Sequence, residues 1–369
     1  MSTRVILLVD LDYFYAQCEE LRNPSLKDKP VVVCVYSGRT EESGAVSTSN
    51  YLARKYSVKS GMPIYLAKKK LENVDAAFLP VDDKLYEETS YKVMQFLSGY
   101  ADEFEEVGID EAYLDVTKRT NGSFKDAKDL ANQIKSEMRS HFGLSCSIGV
   151  GPNKLIAKIA ADEKKPDGLT VVEPSQIKEF MEPLLVGRLI GVGVRTVEKM
   201  HNMGICTISD LAKYDVQKLI SEFGKTVGTY FHNASLGVDN EPVREKGEPE
   251  SLSRISTLKE DTRELGIILE KTDELCLDLH NTITDKKSTF KSVSIIVIAK
   301  DLSLYSRSKT IENSTNSLET MKKIVQELLD KFLSENPIEI RRVGVKLSGL
   351  LEIGKNQKQI TSFFGSSQE

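Results

Sequence analysis

The residues best suited to chemistry are two pairs of carboxylates. Glu106 to Asp115 reads E-V-G-I-D-E-A-Y-L-D, an apolar, strand-like stretch interrupted by the adjacent acids Asp110 and Glu111. Neighbours on a strand point to opposite faces, so a flat strand would send one of them into the core. A tight turn between two short strands lets both reach one site. A buried charge is costly unless it is paired or binds a metal, so acids at such a turn suit a hard cation. An Asp-Glu pair in a β-turn is also ordinary solvated turn chemistry. What favours the cation is a second pair far upstream, where the compact apolar run Val5 to Val9 ends in Asp10-Leu11-Asp12. Positions i and i+2 of a strand share a face, so both acids could look at one ion. They could equally be a helix cap and a first-turn acid.

Several elements have to position these groups. Tyr13 to Leu21 reads as helix and is ended by Asn23-Pro24. A helix start directly after an acidic strand end offers free backbone amides to a phosphate. Pro30 to Val35 is a β-branched strand, Gly38 to Gly44 is turn-like, and Ala45 to Tyr56 passes from strand into helix. Thr48, Tyr51 and Arg54 fall at i, i+3 and i+6, on neighbouring turns, a spacing that by itself describes a solvated helix face. Gly61-Met62-Pro63 breaks the chain before a short helix over 64–71. An amphipathic helix over 81–100 precedes the acidic hairpin. A second over 127–142, a strand over 145–151 and a helix over 153–162 follow it. This order matches a ferredoxin-like βαββαβ unit, which can bring the Asp10 strand end and the Asp110 turn to one edge of a sheet.

Further on, Gly191-Val192-Gly193, a helix and Gly204-Ile205 resemble a helix-hairpin-helix, whose glycines let backbone amides approach a DNA phosphate without reading sequence. Gly224 to Gly228 reads as a weaker second copy. Its G-K-T is no P-loop, because the upstream glycine and the preceding strand are missing. A polar linker over 243–253 leads to a second α+β domain, with strands at 254–258, 292–299, 309–311 and 341–347 and helices at 263–282 and 318–333. Basic residues gather on its strand segments: Lys286, Lys287, Lys291, Arg307, Lys309, Arg341, Arg342 and Lys346. One sheet face could be a phosphate track, and a solvated face fits as well. In the polar tail, Gln357, Ile360, Phe363 and Phe364 would meet on a single helical turn and suit a docking peptide.

Composition limits the alternatives. The chain has 369 residues, enough for several domains, and a net charge of −5, which argues against indiscriminate nucleic-acid binding. Its five cysteines are scattered and odd in number, so neither a zinc site nor a disulfide framework is indicated, and a reducing, cytoplasmic location is expected. No leader peptide is expected at Met1, and no apolar run approaches the roughly 18 residues of a membrane span.

Five blocks, in order, carry a resemblance: Val9-Asp-Leu-Asp-Tyr-Phe-Tyr-Ala-Gln17, Gly44-Ala-Val-Ser-Thr-Ser-Asn-Tyr-Leu-Ala-Arg54, Gly108-Ile-Asp-Glu-Ala-Tyr-Leu-Asp115, Ser147-Ile-Gly-Val-Gly-Pro-Asn-Lys154, and Lys158-Ile-Ala-Ala-Asp162 with Lys165-Pro166. From Arg4 to about Leu351 the chain resembles Y-family (lesion-bypass) DNA polymerases, in the archaeal form of the DinB or polymerase IV branch. The resemblance implies an α+β multidomain right-hand polymerase: a ferredoxin-like palm (1–13 and 74–168), small fingers (14–73), a helix-hairpin-helix thumb (169–242), a linker (243–253), an α+β little finger (254–351) and a clamp-binding tail (352–369).

It also implies roles. Asp10, Asp110, Glu111 and the Leu11 carbonyl would hold two Mg²⁺ ions. The amides of Tyr13, Phe14 and Tyr15 would cradle the phosphates of a dNTP, with Thr48, Tyr51, Arg54 and Lys165. Tyr15 resembles the steric gate against a ribose 2′-hydroxyl. Ala45, Ser47 and Gly61 would face a roomy nascent base pair. Gly191, Gly193, Arg307, Lys309, Arg341 and Arg342 would touch DNA phosphates. Gln357, Ile360, Phe363 and Phe364 would bind a PCNA-type sliding clamp. Asp12 and Asp115 are expected in supporting roles. The implied activity is error-prone translesion synthesis on primer-template DNA, without proofreading, by a monomer. One departure is the linker, where Glu245, Glu248 and Glu250 stand in place of the more basic linker of archaeal relatives. A nucleotidyl cyclase with the same carboxylates is disfavoured by the helix-hairpin-helix, the second domain and the tail. A non-catalytic scaffold is disfavoured because none of the three acids is missing.

Overall fold

The computed structural model describes residues 4–245, 247 and 249–352. The chain forms two units, one drawn from 1–35 and 46–246, the other from 36–45 and 247–369.

The first unit is built on β1 (Ile6–Leu11), every residue of which is buried. Alternation sends Leu7, Val9 and Leu11 into one core and Ile6 and Leu8 into another. Tyr13 then takes a left-handed φ of 37°, and α1 (Phe14–Arg22) starts. A small subdomain follows: β2 (Val31–Tyr36), β3 (Gly44–Ser49), α2 (Tyr51–Lys55), α3 (Ile64–Lys70) and β4 (Ala77–Pro80). Its sheet has the order β3-β2-β4, with β4 parallel to β2. β4 thus joins this sheet from beyond residue 73, where the fingers were expected to end. A four-residue, half-buried strand has no periodicity by which to announce itself.

α4 (Asp83–Ser98) lies within the expected 81–100 and starts where its cap, Asp82, accepts from the Leu85 amide. The hairpin of β5 (Glu103–Glu106) and β6 (Glu111–Asp115) comes next. α5 (Phe124–Phe142) begins earlier than Ala127, because Ser123 caps it, and ends at Gly143 with φ 68°. β7 (Cys146–Gly151), α6 (Lys154–Ala161) and β8 (Leu169–Val171) complete a sheet of order β5-β6-β1-β7-β8. Without β8 this is the ferredoxin-like order. β8 pairs parallel to β7 and carries the sheet past residue 168. α4 and α5 cover one face through Val93, Leu97, Ile134 and Met138. On the other face, α6 lies close against β7 because two glycines leave room. A Cβ at Gly149 would stand 2.0 Å from the Ala157 carbonyl and 2.3 Å from the Ala161 amide.

Short helices follow: α7 (Ile177–Met181), α8 (Val194–Asn202), α9 (Ile208–Lys213), α10 (Val216–Phe223) and α11 (Lys225–Ser235). They share a core that includes Met200, Leu211, Leu219 and Phe231. Gly191 has φ 81° and Gly193 caps α8. Gly224, φ 80°, joins α10 to α11, and a Cβ at Gly228 would be 2.7 Å from the Ile220 amide. The copy that reads as weaker is thus a tightly packed helix pair. After α11 the chain returns to the sheet. Arg4 donates to the Asp239 and Glu241 carbonyls, and Val243 is buried beside Ile6 and Leu8. Val243, expected to open the linker, belongs to the core of the first unit.

The second unit contains β9 (Ser251–Thr262), α12 (Leu265–Asp285), β10 (Ser288–Ala299), β11 (Leu304–Thr315), α13 (Leu318–Glu335), β12 (Ile340–Ser348) and the short β13 (Leu351–Glu352). Its antiparallel sheet has the order β11-β10-β12-β9. β9 starts inside the expected linker. All four long strands outrun the apolar runs that suggested them, because one face is rich in serine and threonine. Both helices cover the opposite face, where Ile268, Leu279 and Phe332 pack with Val293, Ile295 and Val345. Arg39, from the 36–45 segment of this unit, ion-pairs with Asp261 at 2.6 Å.

Cross-strand partners share a face. Arg307 pairs with buried Ile295 and Lys309 with buried Val293, so both lie on the helix-covered side. There Arg307 sits over the Phe332 ring, 3.8 Å from Glu335, and Lys309 meets Glu327 at 2.5 Å. Arg341 lies 3.8 Å from Asp261. Arg342 and Lys346 instead join a hydroxyl-rich row: Lys346 is aligned with Ser294 and Ser253, and Ser294 with Ser308. A single basic face over these strands is therefore corrected to two faces, one of them neutralised by helix carboxylates.

Candidate active site

Register explains how the acids converge. Asp10 on β1 is the direct partner of Glu111 on β6, so the two side chains share a face. Asp110 lies in the turn just before β6, and its carbonyl accepts from the Leu11 amide at 2.8 Å. Adjacent acids thus serve one site because only the second is in the strand.

Asp12 does not join them. Its carboxylate accepts from the Ser145 hydroxyl (2.9 Å), the Ser147 hydroxyl (2.7 Å) and the Asp167 amide (2.8 Å), and it is buried. Burial raises its pKa, and the two serine hydrogen bonds oppose that. Asp12 fastens the end of β1 to β7 and to the loop before β8. The option in which Asp10 and Asp12 face one ion is overturned. Asp115 likewise supports the chain, accepting from the Thr117 amide at 2.9 Å.

Two ammonium groups enter the acidic cluster. Lys158, on α6, contacts Asp10 at 3.1 Å and is hydrogen-bonded to Glu111. Lys165 reaches Asp10 at 2.6 Å and Asp162 at 3.2 Å. Desolvation pulls the pKa of both lysines down, and Asp10 leads the carboxylates that push it up further. Asp110 is pushed up to about 6, first by desolvation and then by the charges of Asp10 and Glu111. Among the described residues, no three His, Cys, Asp or Glu side chains are gathered ready to hold a metal. The donor set is nevertheless all oxygen and crowded with negative charge. It fits a hard divalent cation once the Lys158 ammonium gives way.

These groups line a cleft of about 490 Å³ with Leu11, Tyr13, Phe14, Tyr15, Ser47, Thr48, Tyr51, Arg54, Ser60 and Ile109. The start of α1 and its cap contribute Tyr13, Phe14 and Tyr15, and α2 contributes Tyr51. Tyr15 stacks on Tyr86 with ring centroids 4.1 Å apart, and Tyr86 is buried and donates to Glu19 at 2.7 Å. Tyr51 meets Tyr13 edge-on, and the Arg54 guanidinium lies 4.5 Å above the Tyr51 ring. Arg54 also donates to the Ser49 carbonyl at 3.0 Å. Ala45 and Gly61 are not among the residues that line the cleft. The residue after Ala45, Val46, accepts from the Gly61 amide, and Ser60 is the member of that turn that reaches the cleft.

Sequence reading assigned no role to Lys158, Ser60 or Ile109. Lys158 looks like any cation on an amphipathic helix. The available signal was the G-V-G before that helix, which permits the close approach that places it. Gln357, Ile360, Phe363 and Phe364 lie outside the described residues. No described helix is long and apolar enough to cross a membrane.

Comparison with known proteins agrees along the whole chain. Residues 9–162 match the impB/mucB/samB family, 187–239 match the thumb domain of DNA polymerase-iota, and 249–362 match the impB/mucB/samB C-terminal domain. "DNA polymerase IV" of Nitrosopumilus maritimus is 49% identical over 99% of this chain and 100% of its own length. "DNA polymerase IV 1" of Methanosarcina mazei is 43% identical over 98% of this chain and 100% of its own. Among solved structures, a Y-family DNA polymerase chimera of Dbh and Dpo4 aligns with a TM-score of 0.89 at 35% identity, covering 94% of this chain and 99% of that one. An insertion ternary complex of Dbh DNA polymerase aligns with a TM-score of 0.68 at 35% identity, covering 94% and 99%.

Proposed function

Since the chain belongs to the impB/mucB/samB family, the Y-family DNA polymerases, we propose that its carboxylate cleft adds deoxynucleotides to a primer 3′-hydroxyl, opposite damaged as well as intact template. The observation that carries this is the register pairing of Asp10 with Glu111, with Asp110 in the adjoining turn. Asp10, Asp110, Glu111 and the Leu11 carbonyl would hold two Mg²⁺ ions, which supply Lewis-acid activation of the hydroxyl and charge neutralisation of the leaving pyrophosphate.

The remaining work falls to groups of the chain itself. Backbone amides of Tyr13, Phe14 and Tyr15 at the start of α1 orient the triphosphate. Thr48, Tyr51, Arg54 and Lys165 hold its outer phosphates by hydrogen bonds and charge. The Tyr15 ring, fixed by its stack on Tyr86, stands where a 2′-hydroxyl would clash. Ser47 offers a small side chain to the base pair, with Ala45 and Gly61 beside it, and a small wall tolerates distorted bases.

Primer extension with Mg²⁺, on an intact template and on one with an abasic site, tests the proposal. Short extension that passes the lesion is expected. Extension that stops at the lesion removes the bypass specialisation, and no extension by the folded protein removes the polymerase reading. Residues 357–364 are proposed to recruit a PCNA-type clamp. Their deletion is expected to abolish stimulation by the clamp and to leave basal synthesis intact, measured in the same assay with clamp added.

A further inference from the structure

Behind the cleft lies a buried amide that the chemistry above does not use. Asn50 is 2% exposed, and its side chain makes four hydrogen bonds. Its Oδ1 accepts from the Ala53 amide (3.0 Å), capping α2, and from the Val31 amide (3.1 Å) on β2. Its Nδ2 donates to the Lys29 carbonyl (2.8 Å) and to Oε1 of Glu20 on α1 (2.9 Å). Glu20 is itself buried, and its other oxygen accepts from the Tyr13 hydroxyl at 3.4 Å. Tyr13 meets Tyr51 edge-on, and Tyr51 directly follows Asn50. Contacts therefore run in a closed ring: Tyr13, Glu20, Asn50, Tyr51 and back to Tyr13.

The ring joins two helices that share no strand. α1 presents its first turn to the cleft, and α2 presents Tyr51 and Arg54. α2 spans only Tyr51–Lys55, so its own hydrogen bonds fix its direction poorly. Asn50 is the one side chain among the described residues that bonds both α2, at Ala53, and α1, at Glu20. A buried, fully satisfied amide has a single low-energy placement, because a shift in any direction breaks a hydrogen bond that no water replaces.

We propose that Asn50, acting through Glu20, is a positioning residue for nucleotide binding. It sets the separation between the α1 amides and the Tyr51–Arg54 pair, and so the fit of the triphosphate between them. This rests on the polymerase reading given above. It assigns Asn50 and Glu20 no contact with the nucleotide.

Three variants separate this role from simple stability. Glu20→Ala opens the ring and leaves the Asn50 cap on α2 in place. Asn50→Asp keeps both acceptor bonds and turns the donor facing Glu20 into a repelling oxygen. Glu20→Gln keeps an acceptor for Asn50 and a partner for Tyr13. Single-nucleotide incorporation is measured for each, with thermal melting as the check on folding and fluorescence anisotropy as the check on primer-template affinity. For Glu20→Ala and Asn50→Asp, the expected result is a KM for the incoming nucleotide raised about tenfold, with kcat within about twofold. Primer-template affinity should not change, and Glu20→Gln should lie within about twofold of the parent in both constants. Should one ring-opening variant fail to fold, the other decides. A KM within twofold of the parent in a folded ring-opening variant overturns the inference, as does a loss confined to kcat. So does a Glu20→Gln protein as impaired as Glu20→Ala. A parent protein that incorporates nothing overturns the polymerase reading instead, so the two failures are distinguishable.

Discussion

Asp110 carries a charge conflict that can be measured directly. Its carboxyl sits at about 6 in the folded protein, against an ordinary value of 3.8. Between about pH 4 and 6 the folded state keeps a proton that the unfolded chain has released. Stability from this group is therefore fully present at low pH and is lost as pH rises through that window. Asp110→Asn removes the loss. In EDTA above pH 6 the variant is expected to be more stable than the parent by about 1–3 kcal/mol, with a flatter pH profile. Thermal melts from pH 4 to 8 check this, and a variant that melts below the parent at pH 7.5 would contradict it. Nucleotide incorporation by the same variant should fall on the order of a thousandfold or more. Tyr15 gives a second test at this scale. Its ring is held by a stack on a buried Tyr86, so Tyr15→Ala should remove a rigid wall and raise incorporation of ribonucleotides relative to deoxynucleotides by about a hundredfold. Unchanged sugar discrimination would show that another group excludes the 2′-hydroxyl. Asp10, Asp110 and Glu111 were legible as candidates because acids set within and beside apolar strands need a reason to be there. Lys158 and Asn50 were not, since a helical lysine and a polar residue before a helix are the commonest of features.

Among the elements, α6 has the largest influence on the cleft. It carries Lys158 onto Asp10 and Glu111 only because Gly149 lets its backbone approach β7. A methyl group at Gly149 would stand 2.0 Å from the Ala157 carbonyl, so Gly149→Ala must lift the helix. A stability loss of about 2–4 kcal/mol is expected, read as a fall in the denaturant midpoint. A variant as stable as the parent would show that the helix is free to shift. The βαββαβ order could be derived from periodicity, because α4, α5 and the buried β1 and β7 are strongly patterned. Boundaries at Asp82, Ser123 and Val243 depended on single side chains, which a pattern averages away. β4 and the outer halves of β9 to β11 escaped because their residues are half-buried or hydroxylated, and neither condition leaves an apolar alternation.

For the whole molecule, a net charge of −5 makes any grip on DNA depend on where the cations point. In the second unit Arg307 and Lys309 are taken up by Glu335 and Glu327 under the sheet, while Arg342 and Lys346 stand on the open face. Arg342→Glu should weaken primer-template binding and lessen its dependence on salt by about one unit of slope. Arg307→Ala should change neither. Fluorescence anisotropy over a salt series checks both, and equal effects of the two variants would refute the division of faces. A basic stripe could be suspected from sequence, but its sidedness depends on strand register, which a one-residue slip reverses.

That open face carries hydroxyls on three strands: Ser253 on β9, Ser292 and Ser294 on β10, and Ser306, Ser308 and Thr310 on β11. The consequence concerns time. A duplex laid on this face would meet two cations among hydroxyls, so fast departure is expected of it. The length copied in one visit is the rate of addition divided by the rate of departure. On such a surface departure sets that length, and each visit should leave only a short patch before the primer end passes to whatever machine waits for it.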